Sequence, residues 1–170
     1  MAVNSKREQL IKTAQRLFSK HGFHGVGIDT ILEESGVAKR TMYNHFRSKD
    51  ELILAVLRYY DERFRNFFVR EVEASSKSAK GRLLAIFDVA EQWFKQEDFY
   101  GCIFVGATGE FPQEGTAIRN ICKEFKGLIL EYIIQLATRA KLEHSKARSP
   151  WRKSTTPPSA PARPKAPPKF

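Results

Sequence analysis

Apolar residues recur at the spacing of an α-helix along most of the first 142 positions of this chain. An early run predicts an amphipathic helix that ends at Gly22, and a later run predicts a helix from Thr116 to about Leu142. The buried face of the first helix is expected to contain Leu10, Ile11, Ala14, Leu17 and Phe18. The pattern as a whole predicts an all-α protein.

Two short helices joined by a glycine turn are predicted between Ile28 and about His45. Gly36 stands in the turn, where a helix C-terminus can adopt the left-handed conformation at little steric cost. Met42 and Phe46 of the second helix are expected to point inward. Its outer positions are cationic, hydrogen-bonding or aromatic: Lys39, Arg40, Thr41, Tyr43, Asn44 and His45. This arrangement predicts a helix-turn-helix, whose second helix enters the major groove of DNA.

A long fourth helix is predicted to begin after Ser48 and to continue to about Ala74. Ser48 and Glu51 have the spacing of a capping box, in which each side chain bonds a free backbone N–H group. The N-terminus of a helix attracts anions, so this one, with Lys49 beside it, is a candidate phosphate site. A fifth helix is expected after a polar break at 75–78, with an inward face of Leu83, Leu84, Phe87, Ala90 and Phe94.

The helical pattern stops after Leu142. Seven of the chain's eight prolines follow, and residues 143–170 are predicted to be a basic, Pro-rich, disordered tail. Eight Lys or Arg residues and one Glu lie in 141–170, so most of the formal net charge of +10 is there. A positive balance favours a polyanionic partner, but here it says little about the folded part.

Ile31 to Leu52, with Gly36-Val37, Thr41, Tyr43, Phe46 and Lys49 at their spacings, resembles the N-terminal domain of the tetracycline-repressor (TetR) family of bacterial regulators. The resemblance extends back to Ala14, Leu17, Phe18 and the Gly22-Phe23 turn. Gly27 and Ala38 depart from it, because the family usually has Ser or Thr there to cap a helix and contact a phosphate. Arg40 also departs from it, replacing a residue that is often glycine.

The resemblance implies a helix-turn-helix DNA-binding domain at 1–47 and a helical regulatory domain at 48–142, with a short central helix between 96 and 115. It implies a sequence-specific transcriptional regulator, most simply a repressor that a small hydrophobic effector releases from double-stranded DNA. Phosphate contacts are expected from Tyr43, His45 and Lys49, and groove contacts from Lys39, Arg40, Thr41 and Asn44.

The family normally pairs as homodimers through two further C-terminal helices. Residues 143–170 do not resemble them, which indicates an altered reading frame or terminus. The last predicted helix is therefore expected to keep a partly uncovered apolar face that impairs or replaces the usual dimer. That face is Phe125, Leu128, Ile129, Tyr132, Ile133 and Leu136.

The effector pocket is expected among the aromatic residues of helices five to seven. Its candidate lining residues are Phe87, Trp93, Phe94, Phe99, Cys102 and Phe104, although such residues can equally be ordinary core. No cofactor or metal is expected, because neither His21 nor His45 has a partner at ligand spacing. Cys102 and Cys122 are interpreted as buried reduced thiols.

No catalytic constellation, signal peptide or membrane-length apolar run stands out, so a cytoplasmic regulator that is not an enzyme is expected. Two alternatives remain open. One is a truncated DNA-binding module without a ligand response. The other is a small helical binding protein or enzyme whose basic face is incidental.

Overall fold

The computed structural model describes residues 2–142, with side chains described from residue 6 onward. That part of the chain contains seven helices and no strand, which confirms the all-α prediction. The helices are α1 (Ala2–His21), α2 (Ile28–Ser35), α3 (Lys39–His45), α4 (Lys49–Ser75), α5 (Ala79–Phe94), α6 (Ile103–Glu110) and α7 (Ala117–Arg139). The predicted tail at 143–170 lies outside the described residues. No helix in 2–142 is both long enough and apolar enough to span a bilayer.

The first three helices form the predicted helix-turn-helix unit. Gly22 follows the end of α1 with a φ of 78°, and Gly36 caps α2 with a φ of 62°. Both angles lie in the left-handed region that glycine tolerates best. The predicted inward face of α1 is buried, as are Ile31 of α2 and Met42 of α3. The local sequence pattern therefore predicts both the glycine turns and the buried faces of this unit correctly.

A single apolar core joins these helices to the rest of the molecule. Its buried residues come from α1 to α3, the first turns of α4, one face of α6 and the first half of α7. Phe104 of α6 is fully buried, and its ring stacks on that of Phe125 with centroids 3.9 Å apart. A smaller cluster holds the far ends of α4 and α7 against α5, through Phe68, Val72, Val89 and Leu136.

The predicted inward face of α5 is wrong in part. Leu84, Phe87 and Phe94 are 61%, 73% and 56% exposed, whereas Ala85 and Val89 are buried. Leu83 and Ile86 pack against the smaller cluster, so α5 faces α4 and α7 with a stripe that neighbours the predicted one. Both stripes have helical spacing, and only the position of α4 and α7 decides which of them is covered.

Two of the six residues on the predicted apolar face of α7 are more covered than expected. Phe125 and Leu136 are buried, contrary to the expectation that they are only partly shielded, because α6 covers the first and the ends of α4 and α5 cover the second. The other four residues of this face are half-buried, as expected: Leu128, Ile129, Tyr132 and Ile133.

Candidate nucleic-acid interface

Helix α3 has one buried face and one open face. Met42 is fully buried and Phe46, which caps the helix, is 3% exposed, so these two side chains anchor α3 to the core. On the other side Lys39, Arg40, Tyr43 and Asn44 are exposed, with Thr41 and His45 half-buried at the margins. The structure thus places all six predicted α3 side chains together around one open face.

The turn between α2 and α3 is held by hydrogen bonds. The Gln9 side-chain amide of α1 donates to the carbonyl of Ser35 over 2.7 Å. The Ser35 hydroxyl donates to the carbonyl of Leu32 and accepts from the N–H of Val37, at 3.3 and 3.4 Å. Ser35 is the one buried polar residue among those described, and these bonds satisfy it. The orientation of α3 relative to α1 is therefore fixed by packing and by these bonds together.

The charges around α3 are predominantly positive and loosely held. Lys39 pairs with Asp29 of α2 at 3.2 Å, and both side chains are more than half exposed. Such an exposed pair contributes little, so a phosphate or a base edge can replace it. Within the described chain, Arg40, Arg47 and Lys49 have no carboxylate at salt-bridge distance. Arg40 and Arg47 are exposed and Lys49 is half-buried.

The start of α4 differs slightly from the predicted capping box. The Ser48 hydroxyl accepts from the N–H of Glu51 at 3.2 Å, as expected. The Glu51 carboxylate, however, accepts from the N–H of Arg47 at 2.7 Å, one residue beyond the predicted partner. Arg47 is thereby positioned beside Lys49, although it does not stand out in the sequence. The one sequence feature that could have indicated Arg47 is its position between the buried Phe46 and Ser48, which caps α4.

Gly27 and Ala38 precede α2 and α3 and make no side-chain cap. Their backbones are extended, as at an ordinary N-cap, but no hydroxyl is present to accept a hydrogen bond. The first N–H groups of α2 and α3 therefore depend on solvent or on a ligand.

Glu110, at the end of α6, bridges that helix to the turn between α1 and α2. Its carboxylate accepts from the backbone N–H groups of Phe23 and His24 at 2.8 and 2.7 Å, and lies 2.9 Å from Nδ1 of His24. Phe111 adds ring contacts to both residues, with centroids 5.7 and 4.8 Å away. A Cβ atom on Gly22 would lie 2.8 Å from the Glu110 carboxylate, so glycine permits this close approach.

Electrostatics favour the ionised form of Glu110. Burial acts to raise the pKa of its carboxyl, but the hydrogen bonds from the backbone N–H groups of His24 and Phe23, together with the hydrogen bond and charge of the His24 imidazole, outweigh burial. The pKa consequently lies below its usual value. The bridge is therefore at full strength when Glu110 carries its charge.

The structure brings three of the six predicted pocket residues together, because the rings of Trp93, Phe94 and Phe99 lie with centroids 5.0 to 5.4 Å apart. Phe104 is sealed in the core, and Cys102 is half-buried. Phe87 and Phe94 lie on the open side of α5, and their assignment to the effector pocket stays a prediction. Trp93 and Phe99 do line a cavity of about 280 Å³, together with Tyr60 of α4, which the sequence pattern marks only as an ordinary apolar position.

Both cysteines are free, and burial raises the pKa of the Cys122 thiol. No group of three His, Cys, Asp or Glu side chains within residues 6–142 could hold a metal ion.

This fold defines a class of protein, namely helix-turn-helix regulators with a helical second part. Residues 10–56 match the family described as bacterial regulatory proteins, tetR family. The crystal structure of SCO4454, a TetR-family transcriptional regulator from Streptomyces coelicolor, is 31% identical with a TM-score of 0.76, over 80% of this chain and 71% of that chain. The chain therefore belongs to the TetR family of transcriptional regulators.

Two curated relatives are similar over more than the DNA-binding unit. The transcriptional regulator LmrA of Bacillus subtilis is 27% identical over 73% of this chain and 66% of its own length. The transcriptional repressor NemR of Escherichia coli strain K12 is 26% identical over 61% of this chain and 53% of its own length. The chain thus spans less than two thirds of the length of these relatives.

Proposed function

We propose that this protein is a sequence-specific DNA-binding transcriptional regulator whose α3 enters the major groove. The observation that carries the proposal is the two-sided character of α3. Met42 and Phe46 fix the helix to the core, while the opposite face presents uncovered cationic, amide and phenol groups. These are the groups that read base edges and bind phosphates.

Each side chain on this face has a proposed role. Arg40 and Asn44 contact bases, because a guanidinium pairs bidentately with guanine and an amide with adenine. Lys39 and Thr41 complete the contacts within the groove. Tyr43 and His45 contact the phosphate backbone. Lys49 binds a phosphate at the N-terminus of α4, and Arg47, exposed next to it, adds a second cation there.

Regulation is proposed to be repression by a homodimer in the cytoplasm, relieved by a small-molecule effector. The name of NemR as a repressor supports the sign of the effect. Two copies of α3 must match successive major grooves, so any shift of α6 that moves the turn at Phe23-His24 alters their spacing. The Glu110 bridge supplies that connection between the proposed regulatory domain at 48–142 and the proposed DNA-binding domain at 1–47.

The test is a selection from randomised duplexes, followed by fluorescence anisotropy on the selected duplex and on a scrambled one. Affinity for the selected duplex is expected to exceed that for the scrambled one by at least about 10³-fold at physiological salt. Both affinities should fall as salt rises, because phosphate contacts release counterions. Equal affinity for both duplexes would contradict sequence-specific regulation, and an absence of salt-dependent binding would favour a helical protein with an incidental basic face.

A further inference from the structure

A groove runs between α1 and α5 with α4 as its floor. It consists of two adjoining cavities of about 280 and 510 Å³, which share Gln15, Tyr60, Trp93 and Gln96 in their linings. One wall belongs to the DNA-binding unit, through Lys12, Gln15, Arg16 and Ser19 of α1. The opposite wall belongs to α5 and to the segment that connects it to α6.

The groove is lined by aromatic rings set at angles to one another. Trp93 is central, with centroid distances of 4.7 Å to Phe64 and 5.0 Å to Phe99. Tyr60 stacks on Phe64 at 5.8 Å. Burial raises the pKa of Tyr60 to about 12, so its hydroxyl stays protonated at neutral pH and keeps its proton for donation. Flat ring faces and edges in this arrangement suit a planar aromatic ligand.

The charges in the lining favour an anion. Four cationic side chains contribute to the two cavities, Lys12, Arg16, Arg63 and Arg70, against the single carboxylate of Asp98. The carboxylates that pair with three of the cations, Glu8, Glu34 and Glu71, do not line either cavity. Arg63 instead lies over the ring of Tyr59, with its guanidinium carbon 5.2 Å from the centroid.

Lys12 and Arg63 border the two cavities on either side of the lining residues that the cavities share. Arg63 is near enough to the Lys12–Glu8 pair to act on the pKa of both groups. Lys12 borders one cavity and Arg63 the other, and Gln15 borders both. The amides of Gln15 and Gln96 can donate hydrogen bonds to the same ligand. An acidic group placed here meets two cations and an amide, while its ring reaches Tyr60 and Trp93.

From these observations we propose that the groove between α1, α4 and α5 binds a planar aromatic molecule that carries a carboxylate. The ring packs against Tyr60 and Trp93, and the carboxylate lies toward Lys12 and Arg63. A cationic aromatic molecule is disfavoured, because its charged group would lie toward Lys12 and Arg63, and Arg63 makes no ion pair within the described chain.

The position of the groove connects occupancy to DNA binding. Lys12, Arg16 and Ser19 of α1 border the groove, and α1 shares its apolar core with Ile31 of α2, so a displacement of α1 is transmitted to the helix that precedes α3. This step rests on the proposed function, since it identifies the groove ligand as the effector. Binding of the ligand to the groove does not depend on the proposed function.

The experiment is isothermal titration calorimetry of the full chain with three probes that share one ring system: 2-naphthoate, 2-naphthylmethanol and 2-naphthylmethylammonium. The carboxylate is expected to bind at least roughly tenfold more tightly than the ammonium. Gln96→Glu adds an acid to the lining of both cavities and should weaken 2-naphthoate roughly three- to tenfold. Gln92→Glu is the matched control, because Gln92 is exposed four residues earlier in the chain but lines neither cavity.

Circular dichroism spectra of both variants serve as the check that they remain folded. Equal affinity for the three probes, equal weakening by the two variants, or no binding of any probe would overturn the proposed site, whatever the protein does on DNA. If 2-naphthoate binds as expected but leaves the affinity for the selected duplex unchanged, the site stands and release by this ligand is excluded.

Discussion

Single side chains on α3 and at the start of α4 divide into those expected to read sequence and those expected to bind phosphate. The division follows from geometry and group chemistry together. Arg40 is exposed in the first turn of the recognition helix, where side chains reach base edges. Lys49 lies beside free N–H groups at the start of α4, where a phosphate is favoured whatever the sequence.

Arg40→Ala is expected to relax sequence preference at one base position by about 1–3 kcal/mol, because the bidentate contact to guanine is lost. The selected motif of the variant, compared with that of the unmodified protein, measures this effect. Arg139→Ala, which removes the same charge at the far end of α7, should leave the motif unchanged. An identical motif for Arg40→Ala would place Arg40 on the phosphate backbone or in solvent.

Lys49→Ala should weaken binding to selected and scrambled duplexes by the same factor and reduce the log–log salt slope by roughly 1. The physical reason is the loss of one phosphate contact and of the counterion that it releases. Anisotropy titrations at several salt concentrations measure the slope, with Lys123→Ala on the exposed surface of α7 as the control. A loss confined to the selected duplex would show that Lys49 reads sequence instead.

At the scale of elements, the contact between the end of α6 and the turn after α1 is the most polar junction between the two parts. One carboxylate there satisfies two backbone N–H groups and faces the imidazole of His24. A short helix held in this way can transmit a displacement to the turn, because the hydrogen bonds are directional and the rings of Phe111 and His24 lie in contact. The junction therefore has a measurable part in stability as well as in the proposed regulation.

Glu110→Ala should lower the free energy of unfolding by about 1–3 kcal/mol at neutral pH, because it leaves the N–H groups of Phe23 and His24 without their acceptor. The folded-state pKa of Glu110 lies below its usual value. Its contribution is therefore present above the unfolded pKa of about 4.3 and is lost as the pH falls through the folded pKa. Urea unfolding at neutral and acidic pH measures the difference from the unmodified protein, which should shrink in acid.

The control for this change is Glu97→Ala. Glu97 is exposed and makes no ion pair within the described chain, so its removal should alter stability by no more than about 0.5 kcal/mol. A Glu110→Ala deficit that persists undiminished in acid would mean that the charged hydrogen bonds are not its cause.

At the scale of the whole molecule, one core extends from the helix-turn-helix unit into α6 and α7. Phe104 of α6 belongs to the same cluster as Met42 of α3. The apolar packing therefore crosses the boundary predicted at 47/48. Damage to α6 is expected to reach α1 to α3, because these helices share one core cluster.

Phe104→Ala is expected to lower the free energy of unfolding by about 3–5 kcal/mol, since it leaves a cavity at a fully buried ring. Hydrogen exchange should accelerate in α1 to α3 as well as in α6, because the core is shared. Phe87→Ala is the same chemical change at a ring that is 73% exposed, and should cost no more than about 0.5 kcal/mol.

If Phe104→Ala prevents folding, Phe104→Leu gives a smaller cavity for the same comparison. Equal costs at positions 104 and 87 would contradict the described orientation of α5 and α6. Unchanged exchange in α1 to α3 would show instead that the two parts unfold independently.

The sequence by itself determines the helix-turn-helix unit, because its signals are local. Helical spacing identifies the buried faces of α1 and α3, Gly22 and Gly36 supply the left-handed turns, and Ser48 caps α4. These features depend on residues a few positions apart, whose relation is fixed by backbone geometry. The six outward side chains of α3 could be predicted for the same reason.

Only the tertiary structure decides which side of α5 is covered, where the cavities lie and what joins the two parts. Phe87 and Val89 belong to two different apolar stripes of α5, each with helical spacing. Only the packing of α4 and α7 decides that Val89 is buried and Phe87 is exposed. Glu110 is 86 residues from its partner His24, a separation that no periodicity reveals. Contacts of this kind arise from the way that complete helices pack, so their energies and positions are properties of the assembled fold.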